Sequence, residues 1–186
     1  IQGSNNVINI RQGDEISRAS PNLVELNVTG DLNTINSNQG VSSLGISTGN
    51  DLGYHYQSVQ VTGSSNNLTV TQVGYNHYAE SNVTGSNNNV NISQVGGRHQ
   101  AFTVIQGDGN AMTLAQSGNQ HFADISLAGP GNSVNLSQSG NSSNKATISL
   151  INAGGASSVS VTQSGGQVYS ISQTCVSSCG MVTIHQ

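Results

Sequence analysis

Residues 63–128 read "GSSNNLTVTQVGYNHYAESNVT", "GSNNNVNISQVGGRHQAFTVIQ" and "GDGNAMTLAQSGNQHFADISLA". The three blocks open at Gly63, Gly85 and Gly107, are 22 residues long and follow one another without a gap. A period in the twenties is the mark of a repeat architecture, in which one unit cannot bury its own apolar face and stacking of neighbours does so. With the opening Gly as position zero, the register extends both ways to Gly3, Gly30, Gly63, Gly85, Gly107, Gly129, Gly154 and, degenerately, Ser177. Nine residues on stands Gln in every case: Gln12, Gln39, Gln72, Gln94, Gln116, Gln138, Gln163 and Gln186. Three residues on, Asn recurs at Asn6, Asn33, Asn66, Asn88, Asn110 and Asn132. Five residues on, the residue is always apolar, from Ile8 and Ile35 through Leu68, Val90 and Met112 to Val182.

Inside a block the period is two. In "NLTVTQ", Leu68, Val70 and Gln72 share one face and Thr69 and Thr71 the other, the pattern of a strand with one buried face. After Gly74 a second strand alternates Ala79, Ser81 and Val83 with Glu80 and Asn82; the next blocks give Ala101, Thr103 and Ile105, then Ala123, Ile125 and Leu127. Gly- and Asn-rich corners separate the strands, where positive φ suits those residues. No segment sustains a helical period. If each block makes one coil, equivalent strands pair in parallel and in register about 4.8 Å apart. The inward aliphatic rows then form one narrow core. The Gln row becomes a ladder in which each amide donates to one rung and accepts from another, so that no inward amide is left unpaired. The expected fold is all-β: a single β-solenoid domain over residues 1–186, of about seven and a half coils with two strands per repeat. The first two coils are stretched, and loop insertions are expected near residues 14–21 and 40–53.

The bulk composition agrees with a stacked polar solenoid and excludes other classes. Charged residues make up 6% and the formal net charge is -4, too little self-repulsion for a charge-driven disordered chain. Arg11, Arg18, Arg98 and Lys145 are scattered, so no basic stripe points to nucleic acid. No apolar run approaches the ~18 residues of a membrane helix. The start at Ile1 rather than Met is consistent with a removed signal peptide, and the two Cys with an oxidising compartment.

The pattern N-x5-Q-x-G-x4-A, carried by Gln72, Gly74 and Ala79, by Gln94, Gly96 and Ala101, and by Gln116, Gly118 and Ala123, resembles the curlin repeat of the bacterial curli amyloid family. The resemblance runs from Gly3 to Gln186 and is strongest between Gly63 and Gly140. It implies a secreted subunit of an extracellular fibre on the bacterial cell surface, assembled by templated head-to-tail stacking of copies. It also implies export through a dedicated outer-membrane channel, a nucleator partner, a place in biofilm matrix and adhesion, and no enzymatic activity or cofactor. This chain departs from the family pattern at two places. His77, His99 and His121 stand where Asn is usual, two positions before the Ala. Val83, Ile105 and Leu127 stand where a second inward Gln is frequent. These departures keep open a main fibre subunit, or a minor nucleating or capping one.

Cys175 and Cys179, separated by three residues at the last corner, are expected to form a local disulfide. They lack the two-residue spacing of a thioredoxin-like motif, and no His or Cys set has zinc-finger spacing. His55, His77, His99 and His121 are each 22 residues apart and are expected to sit one above another at a corner. Three readings of this row stand: a turn residue in place of Asn, a row sharing copper, nickel or zinc, and a pH-sensitive row. In the last, repulsion between rungs lowers the pKa values and stability falls between about pH 6.5 and pH 5. Glu80 and Asp124, two coils apart, are read as solvated charges rather than a glycosidase pair, and "GDGN" at Gly107 is a single echo of a calcium-binding repeat. A monomeric surface- or ice-binding solenoid is the alternative of a different class. Its small polar array, Thr69 and Thr71, Asn91 and Ser93, Thr113 and Ala115, is irregular.

Overall fold

The computed structural model describes residues 1–13, 21–40, 53–152, 155–176 and 179–185. Most of the expected loop insertions, the repeat openings at Gly154 and Ser177, and the ladder position Gln186 lie outside the described residues.

Among the described residues every regular element is a strand: β1 (Val7–Gln12), β2 (Leu23–Thr29), β3 (Thr34–Gln39), β4 (Tyr56–Thr62), β5 (Asn67–Tyr75), β6 (Tyr78–Thr84), β7 (Asn89–Gly97), β8 (Gln100–Gln106), β9 (Ala111–Asn119), β10 (Phe122–Ala128), β11 (Ser133–Gly140), β12 (Lys145–Asn152), β13 (Ser158–Ser164), β14 (Val168–Cys175) and β15 (Met181–His185). Odd-numbered strands form one eight-stranded parallel sheet and even-numbered strands a seven-stranded one, each strand paired with the strand two places on. This is a β-solenoid, and the all-β expectation holds. The reason lies in the period: a 22-residue unit with two half-buried strands places its n-th residue over the n-th residue of the next unit. Leu68 therefore faces Val90, Val90 faces Met112, and Gln72, Gln94 and Gln116 are paired in register.

The inward rows of the two sheets share one core. Leu68, Ile92, Leu114, Ile125, Leu127 and Leu136 are all fully buried in it. At roughly 1.5–3 kcal/mol for each large aliphatic side chain, these rows dominate the favourable side of folding. The end coils are thinner. Ile8 and Leu26 in the first coil, and Ile171, Val182 and Ile184 in the last, are only partly buried because a coil covers them on one side alone.

Outside the central coils the step departs from 22 residues: Thr34 pairs with Asn67, 33 residues on, Phe122 with Lys145, 23 on, and Ser133 with Ser158, 25 on. Ala128 pairs with Ile151, and the Gly129 row continues to Asn152 rather than to a glycine. The strands are back in register at Ser133 and Ser158, so the extra residues are taken up within the corner.

Candidate functional site

The two corners of a coil are built by one device. At the first, Asn87 adopts left-handed φ (60°) and Asn88 follows it inward; at the second, Gly96 has φ 121°, Arg98 has φ 58° and His99 follows inward. The same left-handed residue precedes Asn66, His77 and His121, at Ser65, Asn76 and Gln120. The sequence carries this as G-x-x-N at Gly63, Gly85 and Gly107, and as G-x-x-H at Gly74, Gly96 and Gly118. The backbone reversal turns the fourth residue of each motif into the core, where its polar atoms need partners.

The Asn row finds them along the stack. The Asn66 carboxamide oxygen accepts from both the backbone N–H and the side-chain Nδ2 of Asn88, each at 3.0 Å, while Asn88 Nδ2 also donates to the Gly107 carbonyl at 2.9 Å. The pattern runs from Asn6 through Asn33 to Asn66 in the same way, and Asn110 accepts from the Asn132 backbone N–H. Beyond it, Ser157 occupies the Asn position and Asn152 Nδ2 donates to Asn132 Oδ1.

The His row does the same work with a ring. Centroids of His55, His77, His99 and His121 are 4.9, 5.0 and 5.0 Å apart, with interplanar angles of 6°, 3° and 7°, and all four side chains are buried. The backbone N–H of each following rung donates to Nδ1: His77 to His55, His99 to His77, His121 to His99 and Asn144 to His121. Nδ1 is thus the lone-pair nitrogen, and Nε2–H donates to the carbonyl four residues back, Val73 for His77, Val95 for His99 and Ser117 for His121. Asn takes over at both ends of the row. Asn22 Oδ1 accepts from the His55 backbone N–H, and Asn144 donates to the Ser139 carbonyl while accepting from Gly166 and Gln167. Both nitrogens of His77, His99 and His121 are therefore occupied by backbone, which favours the turn reading over a shared metal ion.

Burial lowers the pKa of His55 to about 4, of His77 to about 3 and of His99 to about 4. Repulsion between rungs, the cause expected from the sequence, is the smaller contribution, because rings that are already neutral carry no charge to repel.

The Gln ladder runs in one direction. Gln12 Nε2 donates to Gln39 Oε1, and so on through Gln72, Gln94, Gln116 and Gln138 to Gln163, at 2.8 to 3.0 Å. Each Nε2 spends its second proton across the coil on the opposite sheet: Gln72 on the Tyr56 carbonyl, Gln94 on Tyr78, Gln116 on Gln100 and Gln138 on Phe122. The row thus ties the two sheets together as well as the rungs. Gln116→Leu removes the acceptor of Gln94 Nε2 and the donor of Gln138 Oε1 inside the core. A loss of roughly 1–3 kcal/mol is expected, read as a lower denaturant midpoint at unchanged m-value; a midpoint at or above the parent's would remove the ladder from the list of stabilising features.

Cys175 and Cys179 form a disulfide with a Cα–Cα distance of 5.9 Å, closing the corner that leads into β15. Ser157 Oγ lies 3.3 Å from Cys175 Sγ. Glu80 and Asp124 face outward on either side of Phe102, and the Glu80 carboxylate accepts from the Tyr78 hydroxyl.

Two features were not anticipated. Gln57 is an inward amide of the seven-stranded sheet, in the row continued by Ala79 and Ala101, and Ser37 Oγ donates to its Oε1. The signal was available, since Gln57 lies two residues after His55 as Ala79 lies two after His77. The second feature is an outer aromatic stack. Tyr56 and Tyr78 lie 4.8 Å apart, Phe102 and Phe122 extend the line, and Lys145 Nζ sits 5.2 Å from the Phe122 ring centroid.

No helix among the described residues is long and apolar enough to cross a membrane. Neither a curated protein nor a solved structure matches the chain. The curlin associated repeat matches it twice, over residues 63–96 and 107–140. These are the coils in which the Gly corners, the Asn and His rows and the Gln ladder are most regular. Residues 63–96 and 107–140 thus carry the curlin associated repeat, and in those coils the polar side chains are used in joining coil to coil.

Proposed function

We propose that the protein is a subunit of an extracellular curli-like amyloid fibre on the bacterial cell surface, growing by head-to-tail stacking of solenoid coils and contributing to matrix and adhesion. The observation that carries this reading is the direction of the Gln ladder. In each ladder pair from Gln12–Gln39 to Gln138–Gln163, Nε2 donates toward the C-terminal coils and Oε1 accepts from the N-terminal side, so each of these coils offers a donor on one side and an acceptor on the other. A C-terminal coil placed on the N-terminal coil of a second copy would repeat the contact that joins neighbouring coils within the chain. Two like ends brought together would set donor against donor or acceptor against acceptor. The half-buried Ile8 and Leu26 at one end, and Ile171, Val182 and Ile184 at the other, would complete their burial in such a stack. Secretion through a dedicated channel and a nucleating partner belong to the same proposal and follow from the repeat family.

The test uses backbone chemistry at β15, which pairs with β13 alone among the described strands. Outward residues such as Ser133 donate their N–H to the following coil. Thr183, in register with Ser160 and Asn135, points its N–H the same way, away from β13. Thr183→Pro therefore leaves the β13 pairing intact and removes a donor from the growth edge. Purified parent protein is expected to form unbranched fibres with a meridional repeat near ~4.8 Å, and Thr183→Pro to slow elongation at least tenfold while keeping the monomer's melting temperature. Elongation at the parent rate removes β15 as an assembly edge; a parent that stays monomeric at high concentration favours the surface-binding solenoid instead.

A further inference from the structure

The two outer faces of the solenoid differ in kind. The seven-stranded sheet carries Glu25, Glu80, Asp124 and Lys145, together with the Tyr and Phe stack. Strands β3, β5, β7, β9, β11 and β13 of the eight-stranded sheet contain no Lys, Arg, Asp, Glu or His, and their outward positions are Asn, Ser, Thr and Ala, with Val73, Val95, Tyr75 and Gly97 at one side. Soluble proteins guard long flat β-faces with charge, because a neutral face offers no repulsion to a copy of itself. Here charge is placed on one face and withheld from the other over six consecutive rungs. Apart from Tyr75 at the end of β5, the side chains on the neutral face are short, so backbones can approach closely. On this face Asn9 donates to Asn36, Asn67 to Asn89 and the Tyr75 hydroxyl to Asn119.

We infer that the outer face of the eight-stranded sheet is a lateral docking surface for the same face of a second copy, pairing two solenoids side by side through interdigitated Asn, Ser and Thr side chains. The six uncharged strands at ~4.8 Å spacing, with about six residues each, make a face of roughly 29 by 20 Å, about 580 Å² per copy and so about 1,200 Å² in a pair, at the lower end of the range for stable specific interfaces. A face that meets itself is isologous and needs no second partner surface. The seven-stranded face is the poorer candidate, since self-pairing would bring Glu25, Glu80 and Asp124 against their copies around one line of bulky rings. The arrangement is that of a cross-β zipper, with small polar side chains meeting between two sheets.

This inference rests on the fibre reading for its biological setting, and its test separates the two. One variant carries Asn91→Lys and Asn135→Lys, two rungs apart in one outward column of the eight-stranded sheet. Its control carries Asn82→Lys and Ser126→Lys, two rungs apart in one outward column of the other sheet. Both add the same charge at the same spacing. Parent and control fibres are expected to show the cross-section of two solenoids by electron microscopy and X-ray scattering, and the Asn91/Asn135 variant that of one, with the paired fraction reduced at least tenfold. Single-width parent fibres, or a variant that pairs as the parent does, overturn the face assignment while leaving end stacking intact. If the parent forms no fibres, sedimentation velocity decides the same point: a dimer dispersed only by the Asn91/Asn135 charges supports face pairing, and a monomer overturns it. Parent-like circular dichroism and melting qualify each variant. Should the double variant not fold, Thr113→Cys joined by a short bis-maleimide provides the alternative reading, with cross-linked dimer expected there and not at Ser126→Cys.

Discussion

Gly96→Ala is expected to be the most damaging single substitution in the central coils, with a loss of stability of at least ~3 kcal/mol or no recoverable folded protein. Two effects add. The backbone at Gly96 has φ 121°, a conformation that side-chain-bearing residues rarely adopt. A Cβ built there would also lie 2.0 Å from the carbonyl oxygen of Gly118 in the next coil. That oxygen belongs to the paired backbone of β7 and β9, so it cannot withdraw without opening the ladder at Gln94 and Gln116. Gly109→Ala provides the contrast. Gly109 has φ 67°, a left-handed value that its neighbour Asn87 reaches with a side chain in place, and nothing lies within 4 Å of its Cβ position. A cost of about 1 kcal/mol is expected there. Paired urea melts measure both. Equal losses at Gly96 and Gly109 would mean that backbone strain alone, and not the coil-to-coil approach, decides the effect.

The second large effect is acid lability of the His row. His55, His77 and His99 are neutral in the fold, with pKa values lowered to about 4, 3 and 4, chiefly by burial. In the unfolded chain they titrate near ~6.5. A lowered folded pKa gives stability that is complete above pH ~6.5 and falls as the pH drops, because the unfolded chain takes up protons that the fold excludes. The decline continues to the folded values, about pH 3 to 4, and so reaches further into acid than the pH 6.5 to 5 window expected from the sequence. Three rings give a slope of at most roughly 4 kcal/mol per pH unit below ~6, and a loss of several kcal/mol by pH 4. The geometry supplies the reason: a proton on Nδ1 would point at a backbone N–H of the next rung. Asn already serves this position at Asn22 and Asn144, so the triple variant His55→Asn, His77→Asn, His99→Asn is expected to fold and to lose most of the slope. Melting temperatures of parent and variant between pH 7 and pH 4 test this. Parallel curves for the two proteins would exclude the His row as the source of acid lability.

Much of this was legible in the chain itself, and particular residues show why. Leu68, Val90 and Met112 could be assigned to one inward row because a side chain's face follows from strand parity, and their mutual register follows from a constant 22-residue step. Gln72, Gln94 and Gln116 could be expected to pair because like residues at a fixed period must stack. The His row was placed at a corner for the same reason. Its burial was not foreseen, because that depends on how the backbone turns after Arg98 rather than on the order of residues alone. The equivalence of G-x-x-N and G-x-x-H was present in the letters but gained meaning only once both motifs were seen to make the same left-handed turn.

What the sequence alone determined, then, is the set of relations between one coil and the next: strand face, parallel register, and which residue types form columns. These depend on period and parity, which are properties of order along the chain. What only the tertiary structure decided is the set of relations across a coil. The second proton of Gln94 goes to the Tyr78 carbonyl on the opposite sheet, the His99 ring turns inward to the Val95 carbonyl, and six consecutive rungs of one outer face carry no charge. These depend on the width of the core and the angle of each corner. Both are set by side-chain volume and backbone φ together, and no repeat period encodes them.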